Sequence, residues 1–484
     1  MINAIEEASR CLLCHDAPCT KACPAGNDPA RGIRAIRFGN PELAGLYFSK
    51  ETCAKDGQGK CEEACIHYDR PIRIQELAAG IEPLAKAPEA DLSIEFCGIR
   101  CENPFFLASS AVDTNYDMVS RALEAGWAGV FYKTICLQEI NEVSPRFDAV
   151  RSDEGHFAGF RNMEQLSENQ PEMDFEILHR LKENYPGKVI IASIMGKDRE
   201  EWSKLAKMAE AAGVDAVELN FSCPQMTHEG MGSDVGQTPE LVAEYTLCVK
   251  KSVSIPVITK MTPNVTKMSV PAKAACLTGA NAISAINTIK SVTMSEGSAV
   301  AGMKTVSGYS GKAVKPIALR YILEMTTDPL LKTLQFSGVG GIETWQDALE
   351  FIQLGCRTLQ VCTAVMQYGY RIIEDLTSGL KAYMVDRGVQ HLQELVGEQL
   401  PRFSQPEALE RNTMVYPVID RQKCIGCGRC YISCQDGGHQ AIVFGEDRQP
   451  KIQGQKCVGC HLCRLVCPTG AIGIAKRIPK VNRN

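Results

Sequence analysis

Residues 215–224 read DAVELNFSCP, and the central part of the chain repeats the pattern of this stretch. A short apolar run, with the length of one buried strand, leads directly into polar residues. Amphipathic helical patterns such as EEWSKLAKMAEAAG (200–213) and WQDALEFIQLG (345–355) follow most of these runs. The eight runs of this form are NPFFLAS (103–109), AGVFYKT (128–134), VIIASIM (189–195), DAVELNF (215–221), PVITKM (256–261), NAISAIN (281–287), LQFSGVG (334–340) and TLQVCTA (358–364).

This alternation of strands and helices predicts the α/β class with a parallel sheet. Eight successive units predict a closed (β/α)8 TIM barrel over residues 94–400. A doubly wound open sheet is the alternative, but it usually contains fewer strands. We therefore expect the barrel.

The composition is that of a water-soluble protein. The chain has 484 residues, 45% hydrophobic and 23% charged, with a net charge of -5. This charge offers no broad basic surface, so we expect no nucleic-acid partner. The sequence has no apolar run of membrane-spanning length, and MINAIEEASR does not resemble a signal peptide. We therefore expect a cytoplasmic protein with no membrane contact.

Twenty-three cysteines divide the chain into regions. Seven lie within 11–65 and eight within 424–467, and close spacing in a reducing compartment favours metal binding over disulfides. Stretches rich in Pro or Ala separate these regions from the central one. We predict a helical Fe–S domain (1–80), a linker (81–93), the barrel (94–400), a second linker (401–417), a ferredoxin-like domain (418–476) and a basic tail (477–484).

The last cysteine region contains the spacing C-x2-C-x2-C-x3-C twice, in CIGCGRCYISC and CVGCHLCRLVCP. This spacing is typical of two-cluster ferredoxins, in which each run supplies three ligands to one [4Fe–4S] cluster and the fourth to the other. One predicted set is Cys424, Cys427, Cys430 and Cys467, and the other is Cys457, Cys460, Cys463 and Cys434. A structural zinc site is the alternative, but zinc sites seldom exchange ligands in this way.

The first cysteine region reads CLLCHDAPCTKACP and then TCAKDGQGKCEEACIHYDRPIRI. It resembles the N-terminal cluster domain of dihydropyrimidine dehydrogenase and of the small subunit of glutamate synthase. The resemblance implies one [4Fe–4S] cluster on Cys11, Cys14, Cys19 and Cys65, and three ligands of a second on Cys23, Cys53 and Cys61. In these families an amide or carboxylate completes the second cluster, at a position that matches Ala78 here. The fourth ligand of the second cluster is then Gln75, Glu76 or water, or the second cluster is absent. The remaining alternative for this region is a structural cap that binds zinc.

Polar and small residues follow the carboxyl ends of the predicted barrel strands, where barrel enzymes carry their reactive groups. Lysines there suit the anionic form of a reduced flavin, and asparagine amides suit a cyclic imide. Glycines at the seventh strand suit a phosphate. Cys223, on the polar loop CPQMTHEGMGSDVGQ, is the candidate proton donor, although an inert buried thiol is the alternative.

Motifs of the central region resemble the flavin subunit of bacterial NAD-dependent dihydropyrimidine dehydrogenases and the matching half of the eukaryotic enzyme. They include SPRF (144–147), GFRNMEQ (159–165), LNFSCPQMT (219–227), KMTPN (260–264), AINT (285–288), SGYSGKAVKPIALR (307–320), GVGGIETW (338–345) and LQVCTAVMQYGY (359–370). The broader relative is dihydroorotate dehydrogenase, which shares the FMN barrel.

This resemblance implies a role for each candidate residue. The implied FMN contacts are Ser109, Ser110, Lys133, Thr134, Lys260, Gly311, Gly340, Gly341, Cys362 and Thr363. The implied pyrimidine contacts are Asn162, Glu164, Asn220, Ser222, Asn287 and Thr288. FMN would pass a hydride to C6 of uracil or thymine, and Cys223 would protonate C5 as general acid. The reverse reaction would use Cys223 as base.

The sequence has no G-x-G-x-x-G motif and no P-loop, so the chain shows no dinucleotide site of its own. We therefore expect NAD(P)H to react on a separate flavoprotein subunit, or a ferredoxin to deliver electrons, with the chain in an oligomer. The resemblance to the bacterial enzyme implies that this flavoprotein carries FAD. The competing functions are a dihydroorotate dehydrogenase and a pure Fe–S electron-transfer module.

Overall fold

The computed structural model describes residues 3–54, 59–151, 157–226, 230–293 and 305–480. They form two compact units, residues 1–400 and 401–484. The strands are β1 (Ile94–Phe96), β2 (Ile99–Cys101), β3 (Phe105–Leu107), β4 (Gly129–Ile135), β5 (Phe147–Arg151), β6 (Phe157–Asn162), β7 (Val189–Ile194), β8 (Ala216–Asn220), β9 (Val257–Lys260), β10 (Ala282–Ala285), β11 (Ile289–Ser291), β12 (Ser307–Ser310), β13 (Gln335–Val339), β14 (Cys356–Val361), β15 (Thr413–Ile419), β16 (Ile442–Val443), β17 (Lys451–Ile452) and β18 (Ile472–Pro479).

Helices surround the strands of the first unit and form its N-terminal part. The α-helices are α1 (Ala4–Ser9), α2 (Pro18–Lys21), α3 (Pro29–Arg37), α4 (Lys50–Ala54), α5 (Lys60–Glu63), α6 (Ile74–Ala79), α7 (Tyr116–Ala125), α8 (Pro171–Asn184), α9 (Arg199–Ala211), α10 (Ser233–Gly236), α11 (Pro239–Ser252), α12 (Ser269–Leu277), α13 (Lys315–Thr326), α14 (Trp345–Gln353), α15 (Thr363–Tyr368), α16 (Ile372–Arg387), α17 (Arg429–Gly437) and α18 (Leu462–Leu465). Short 3-10 helices span Glu42–Leu46, Lys312–Val314, Leu331–Thr333, Leu392–Leu395, Leu400–Arg402 and Pro406–Ala408.

Eight parallel strands close the predicted barrel. Their order around it is β10, β13, β14, β3, β4, β7, β8 and β9, and each contains part of one predicted run. Parallel strands need long crossover connections, and the intervening helices supply them. Strands such as β4 and β7 are buried along their whole length, as expected where helices cover the sheet. The predicted TIM-barrel fold class is therefore confirmed.

A second sheet in the first unit has the order β11, β12, β6 and β5, with antiparallel pairing. Its strands lie in two insertions, one after β4 and one after β10. Asn162 at the end of β6 pairs with Gly308 of β12. The two insertions are thereby joined into one layer at the carboxyl end of the barrel strands.

The N-terminal part is helical, as predicted, and docks on the barrel. Helix α3 begins with Pro29 after Asp28, whose side chain accepts the Arg31 N–H at 3.2 Å. Arg34, on the same helix, forms a buried ion pair with Asp375 of α16 at 2.8 Å. The indole N–H of Trp345 donates to Gly39 O at 3.1 Å. Ion pairing and backbone hydrogen bonds therefore fasten α3 and its following turn to α14 and α16.

The second unit has its own small core around Cys430, Cys434 and Ala441. Two antiparallel ribbons, β15 with β18 and β16 with β17, are accompanied by α17 and α18. This is the ferredoxin-like arrangement that the repeated cysteine runs predict. In the described part of the chain, no helix is both long and apolar enough to cross a membrane.

Candidate active site

One cavity of about 990 Å³, its open mouth included, lies at the carboxyl ends of the barrel strands. Of the predicted flavin and pyrimidine contacts, all but Ser222 line it. They are Ser109, Ser110, Lys133, Thr134, Asn162, Glu164, Asn220, Lys260, Asn287, Thr288, Gly311, Gly340, Gly341, Cys362 and Thr363, and Cys223 lies among them. The structure thus brings together residues that are up to 254 positions apart in the printed sequence. A cavity at the strand ends that gathers this many polar side chains is typical of cofactor and substrate sites.

Two lysines reach the cavity, and both are paired with carboxylates. The ammonium group of Lys133 lies 2.9 Å from Glu164, and that of Lys260 lies 3.4 Å from Glu218. Both lysines are only 3% exposed, so neither charge is strongly screened by water. Buried cations at this position can stabilise negative charge on a planar ring.

Glu218 lies on β8 inside the barrel and is fully buried. Its carboxylate accepts hydrogen bonds from Ser193 at 3.2 Å and from Gln360 at 3.3 Å, besides the contact with Lys260. A buried carboxylate needs such partners because an unpaired charge in the interior is very costly. Glu218 therefore holds Lys260 in one position beneath the cavity.

A chain of hydrogen bonds leads from Glu218 to the substrate side of the cavity. Ser193 bonds Thr134 at 3.0 Å, and Asn220 donates to Thr134 at 2.9 Å. Ser222, which does not line the cavity, donates to Asn220 Oδ1 at 2.7 Å and accepts from Asn287 at 2.8 Å. Ser222 thus orients the side-chain amides of Asn220 and Asn287 from a position outside the cavity lining.

Cys223 follows β8, and its thiol is buried at the cavity wall. Burial raises the pKa of this thiol to about 11, and the backbone N–H of Gln225 and the charge of Lys133 act in the opposite direction. A thiol with this pKa is protonated at neutral pH and can donate a proton. The pyrrolidine ring of Pro224 disfavours a helical conformation at the preceding residue, Cys223.

The cysteine loop is attached to the second sheet. The side-chain amide of Gln225 donates to Asn162 O at 2.6 Å. Asn162 and Glu164 lie at and just after the end of β6, and both face the cavity. Arg146 lies 3.7 Å from the same Glu164 oxygen that Lys133 contacts. At the cavity, this wall combines the amide of Asn162, the carboxylate of Glu164 and the ammonium group of Lys133.

Three glycines allow close approach of a ligand to the backbone. Gly340 and Gly341 follow β13 with φ of 130° and 76°, and Gly311 precedes the 3-10 helix Lys312–Val314 with φ of 87°. A side chain at Gly341 would lie 2.9 Å from both Gly311 O and the Lys315 side chain. Such a backbone cradle, close to buried lysines, fits the phosphate and the ring of FMN.

The cysteines of the second unit line two small cavities. Cys424, Cys427, Cys430 and Cys467 line one of about 340 Å³. Cys434, Cys457, Cys460 and Cys463 line the other, of about 350 Å³. These are the two exchanged sets that the spacing predicts. In the described residues no group of His, Cys, Asp and Glu converges on a single-ion site, whereas four thiolates around a cavity suit a cluster.

The first N-terminal set surrounds a similar cavity. Cys11, Cys14, Cys19 and Cys65 line a space of about 340 Å³ together with Ile33 and Ile74. Its volume matches those of the two C-terminal cavities, which supports the same kind of occupant. Four thiolates from the N-terminal domain are therefore gathered as predicted from the resemblance.

The second N-terminal set has three cysteines near one another. Burial raises the pKa of the Cys61 thiol to about 12, and the charges of Glu62, Cys23 and Cys53 raise it further. Ala78 is fully buried and offers no ligand atom. Glu76 is exposed and pairs with Arg73 at 3.4 Å.

Gln75, another candidate fourth ligand, lies beside Gly59, two residues before Cys61. A methyl group added at Gly59 would lie 3.5 Å from its side-chain amide nitrogen. Residues 55–58, between Cys53 and Cys61, lie outside the described part.

The sequence analysis missed Glu218, Gln360 and Gln225. Glu218 stands between Val217 and Leu219, and Gln360 stands between Leu359 and Val361. A polar side chain flanked by apolar residues within a strand is the signal that could have found them. Gln225 is one of several polar residues in its loop, and no local pattern distinguishes it. The aromatic residues Phe160 and Tyr309 also line the cavity, and they lie in insertions that the sequence analysis did not resolve into strands.

Three family models match the chain. The dihydroorotate dehydrogenase model matches residues 91–384, and the 4Fe-4S dicluster domain matches 417–474. The dihydropyrimidine dehydrogenase domain II, 4Fe-4S cluster, matches 2–87. These matches confirm the predicted cofactors, FMN and [4Fe–4S] clusters at both ends of the chain.

Curated relatives agree with these matches. The NAD-dependent dihydropyrimidine dehydrogenase subunit PreA of Escherichia coli (strain K12) is 52% identical over 362 residues, which cover 74% of this chain and 88% of the relative. The chloroplastic dihydropyrimidine dehydrogenase (NADP(+)) of Arabidopsis thaliana is 37% identical over 338 residues, covering 66% and 79%. The catalytic subunit of dihydroorotate dehydrogenase B (NAD(+)) of Pyrococcus abyssi is 35% identical over 314 residues, covering 63% and 98%. The chain therefore belongs to the dihydroorotate dehydrogenase family and, within it, stands with the dihydropyrimidine dehydrogenases.

Proposed function

We propose that this chain is the catalytic subunit of a dihydropyrimidine dehydrogenase, which reduces the C5–C6 double bond of uracil or thymine reversibly. The observation that carries the proposal is the buried thiol of Cys223 in a cavity lined by the asparagine amides of Asn162, Asn220 and Asn287. Bound FMN would supply the hydride that C6 of the pyrimidine receives. The thiol of Cys223 would supply the proton that C5 receives, so that the hydride and this proton together add two electrons and two protons across the double bond.

The remaining residues bind and orient. Lys133 and Lys260 would hold the flavin ring and stabilise its negative charge, while Gly311, Gly340 and Gly341 would accommodate the phosphate. Asn220 and Asn287 can each donate and accept hydrogen bonds, as the alternating C=O and N–H groups of a uracil ring require. Their amides are held by Ser222, so little ordering is needed when a pyrimidine binds.

The charges around the cavity favour a neutral pyrimidine over orotate, the anionic substrate of a dihydroorotate dehydrogenase, which is the competing function. Lys133 and Lys260, the two buried cations of the cavity wall, are each paired with a carboxylate. Arg146, next to Glu164, is itself paired with Glu168 at 2.7 Å. A neutral ring therefore fits without further charge compensation, whereas the carboxylate of orotate would find no unpaired cation among these three. Turnover of uracil, thymine and orotate by the reconstituted enzyme tests this, and faster turnover of orotate would overturn it.

We further propose that electrons reach the chain from a separate FAD-containing flavoprotein that oxidises NAD(P)H, or from a ferredoxin. The support is the missing dinucleotide motif and the name of the Escherichia coli relative, which is a subunit. The purified chain should reduce uracil with dithionite but not with NADH. Activity of the chain alone with NADH would refute the need for a partner.

Iron analysis tests the cluster assignment. Anaerobically purified protein should contain FMN and about twelve irons per chain if three clusters are present, or about sixteen if Cys23, Cys53 and Cys61 hold a fourth. Replacing Gln75 by alanine should lower the higher value only if its amide completes that cluster. The Glu76→Ala variant tests the other side-chain candidate, which pairs with Arg73. Loss of iron in that variant instead of in Gln75→Ala would assign the fourth ligand to Glu76.

A further inference from the structure

The loop that carries Cys11 and Cys14 is held by two arginines, one from each side. Within the N-terminal domain, Arg37 of α3 donates to Cys11 O at 2.8 Å. From the barrel, Arg371 at the start of α16 donates to Leu13 O at 2.7 Å. Both acceptors lie in the short stretch that places two thiolates at the first N-terminal cavity.

Both guanidinium groups also lie beside the two ligand positions. Arg37 bonds the carbonyl of Cys11 itself, and Arg371 bonds the carbonyl of Leu13, the residue before Cys14. A cation beside a cluster favours the more negative state of that cluster. Net charge and hydrogen bonds near the sulfurs are the main terms that set the potential of an iron–sulfur cluster.

The same two arginines meet at Tyr368, the last residue of α15. The guanidinium of Arg37 lies 5.1 Å from the centre of the Tyr368 ring, and Arg371 Nε donates to Tyr368 O at 3.3 Å. Thr363 and Met366 of this helix line the barrel cavity. A helix of six residues is about 9 Å long, so one short element separates the arginine contacts from the candidate flavin site.

We propose that Arg371, assisted by Arg37, is a positioning residue for the first N-terminal cluster: it fixes the Cys11–Cys14 loop on the barrel and raises the reduction potential of the cluster. Reduction adds negative charge beside a half-buried guanidinium, so the reduced state gains more from Arg371 than the oxidised state does. This inference goes beyond the proposed function. It requires the cluster but not the pyrimidine chemistry.

The test is a redox titration of the full-length, anaerobically purified protein, followed by EPR and without any pyrimidine. The Arg371→Gln variant should shift one titrating component to a more negative potential and leave the others in place. The Cys14→Ser variant identifies that component, because its signal should change or disappear. Arg371→Lys, which keeps the charge, should shift the potential less than Arg371→Gln does.

The Arg320→Gln variant is the matched control. Arg320 also donates to a backbone carbonyl, Thr266 O at 2.8 Å, and also lies on a barrel helix, but it does not contact the cluster loop. Its potentials should equal those of the wild type. Loss of about four irons in Arg371→Gln, with the other components intact, would also support the positioning role. Unchanged potentials at unchanged iron content, or an equal shift in Arg320→Gln, would overturn the proposal whatever the uracil turnover is.

Discussion

Replacing Cys223 by serine or alanine tests the catalytic role that the structure supports. The thiol lies in the cavity wall, buried, with Gln225 Oε1 at 3.9 Å from the sulfur. Alanine removes the proton donor altogether. Serine keeps a similar shape but has a far higher pKa, so it is a weaker donor at neutral pH.

The expected effect follows from the pKa of about 11. At pH 7 nearly every molecule carries the thiol, and only about one in 10,000 carries the thiolate. Loss of a general acid typically lowers the rate by about 10²–10⁴. We expect a loss of this size for uracil reduction by Cys223→Ala. The rate of Cys223→Ser should lie between those of the wild type and of Cys223→Ala. In the reverse direction the thiolate is the base. Dihydrouracil oxidation should therefore rise about tenfold per pH unit up to about pH 11.

The assay is single-turnover reduction of uracil by protein already reduced with dithionite, so that electron supply is not limiting. FMN content and the visible spectrum should match the wild type in each variant. Cys248→Ser is the matched control, because this thiol lies on α11 at the outside of the barrel. Wild-type rates in Cys223→Ala, or an oxidation rate that does not change between pH 6 and pH 9, would refute the reasoning.

Three further predictions concern buried groups. Glu218→Gln should leave Lys260 as an unpaired buried cation and lower the unfolding free energy of the FMN-free protein by about 3 kcal/mol, measured by urea denaturation. Gly379→Ala should destabilise by about 1–3 kcal/mol, because the new methyl group would lie 2.1 Å from the Trp345 ring. Its effect should appear as faster proteolysis of the N-terminal domain. Burial raises the pKa of Glu343 to about 7 from 4.5, so stability should fall as pH rises from 4.5 to 7. Glu343→Gln should therefore stabilise the protein at pH 8 and have little effect at pH 4, as thermal melts at the two pH values would show.

The barrel could be predicted from sequence because each of its strands is a short apolar run, and buried parallel strands have that composition. The cluster cysteines could be predicted because ligand spacing is local. Most cavity residues could be predicted because barrel enzymes place them at strand ends, as with Lys260 at the end of β9.

Other features depend on contacts between distant parts of the chain. Glu218 is recognisable only once Lys260 and Gln360 are seen beside it. The ion pair of Arg34 with Asp375 joins residues about 340 positions apart, and no local pattern encodes it. The fourth ligand near Cys61 stays open for the same reason, since the resemblance points to Ala78, which has no ligand atom.

The fastening of α3 to α14 and α16 has a consequence for how the protein behaves on dilution. Two separate chains that exchange electrons must first meet, and their rate falls as they are diluted. Here the N-terminal domain and the barrel belong to one chain and are held by the Arg34 and Trp345 contacts. Any exchange between them is a first-order event, and its rate should be the same at nanomolar and at micromolar protein.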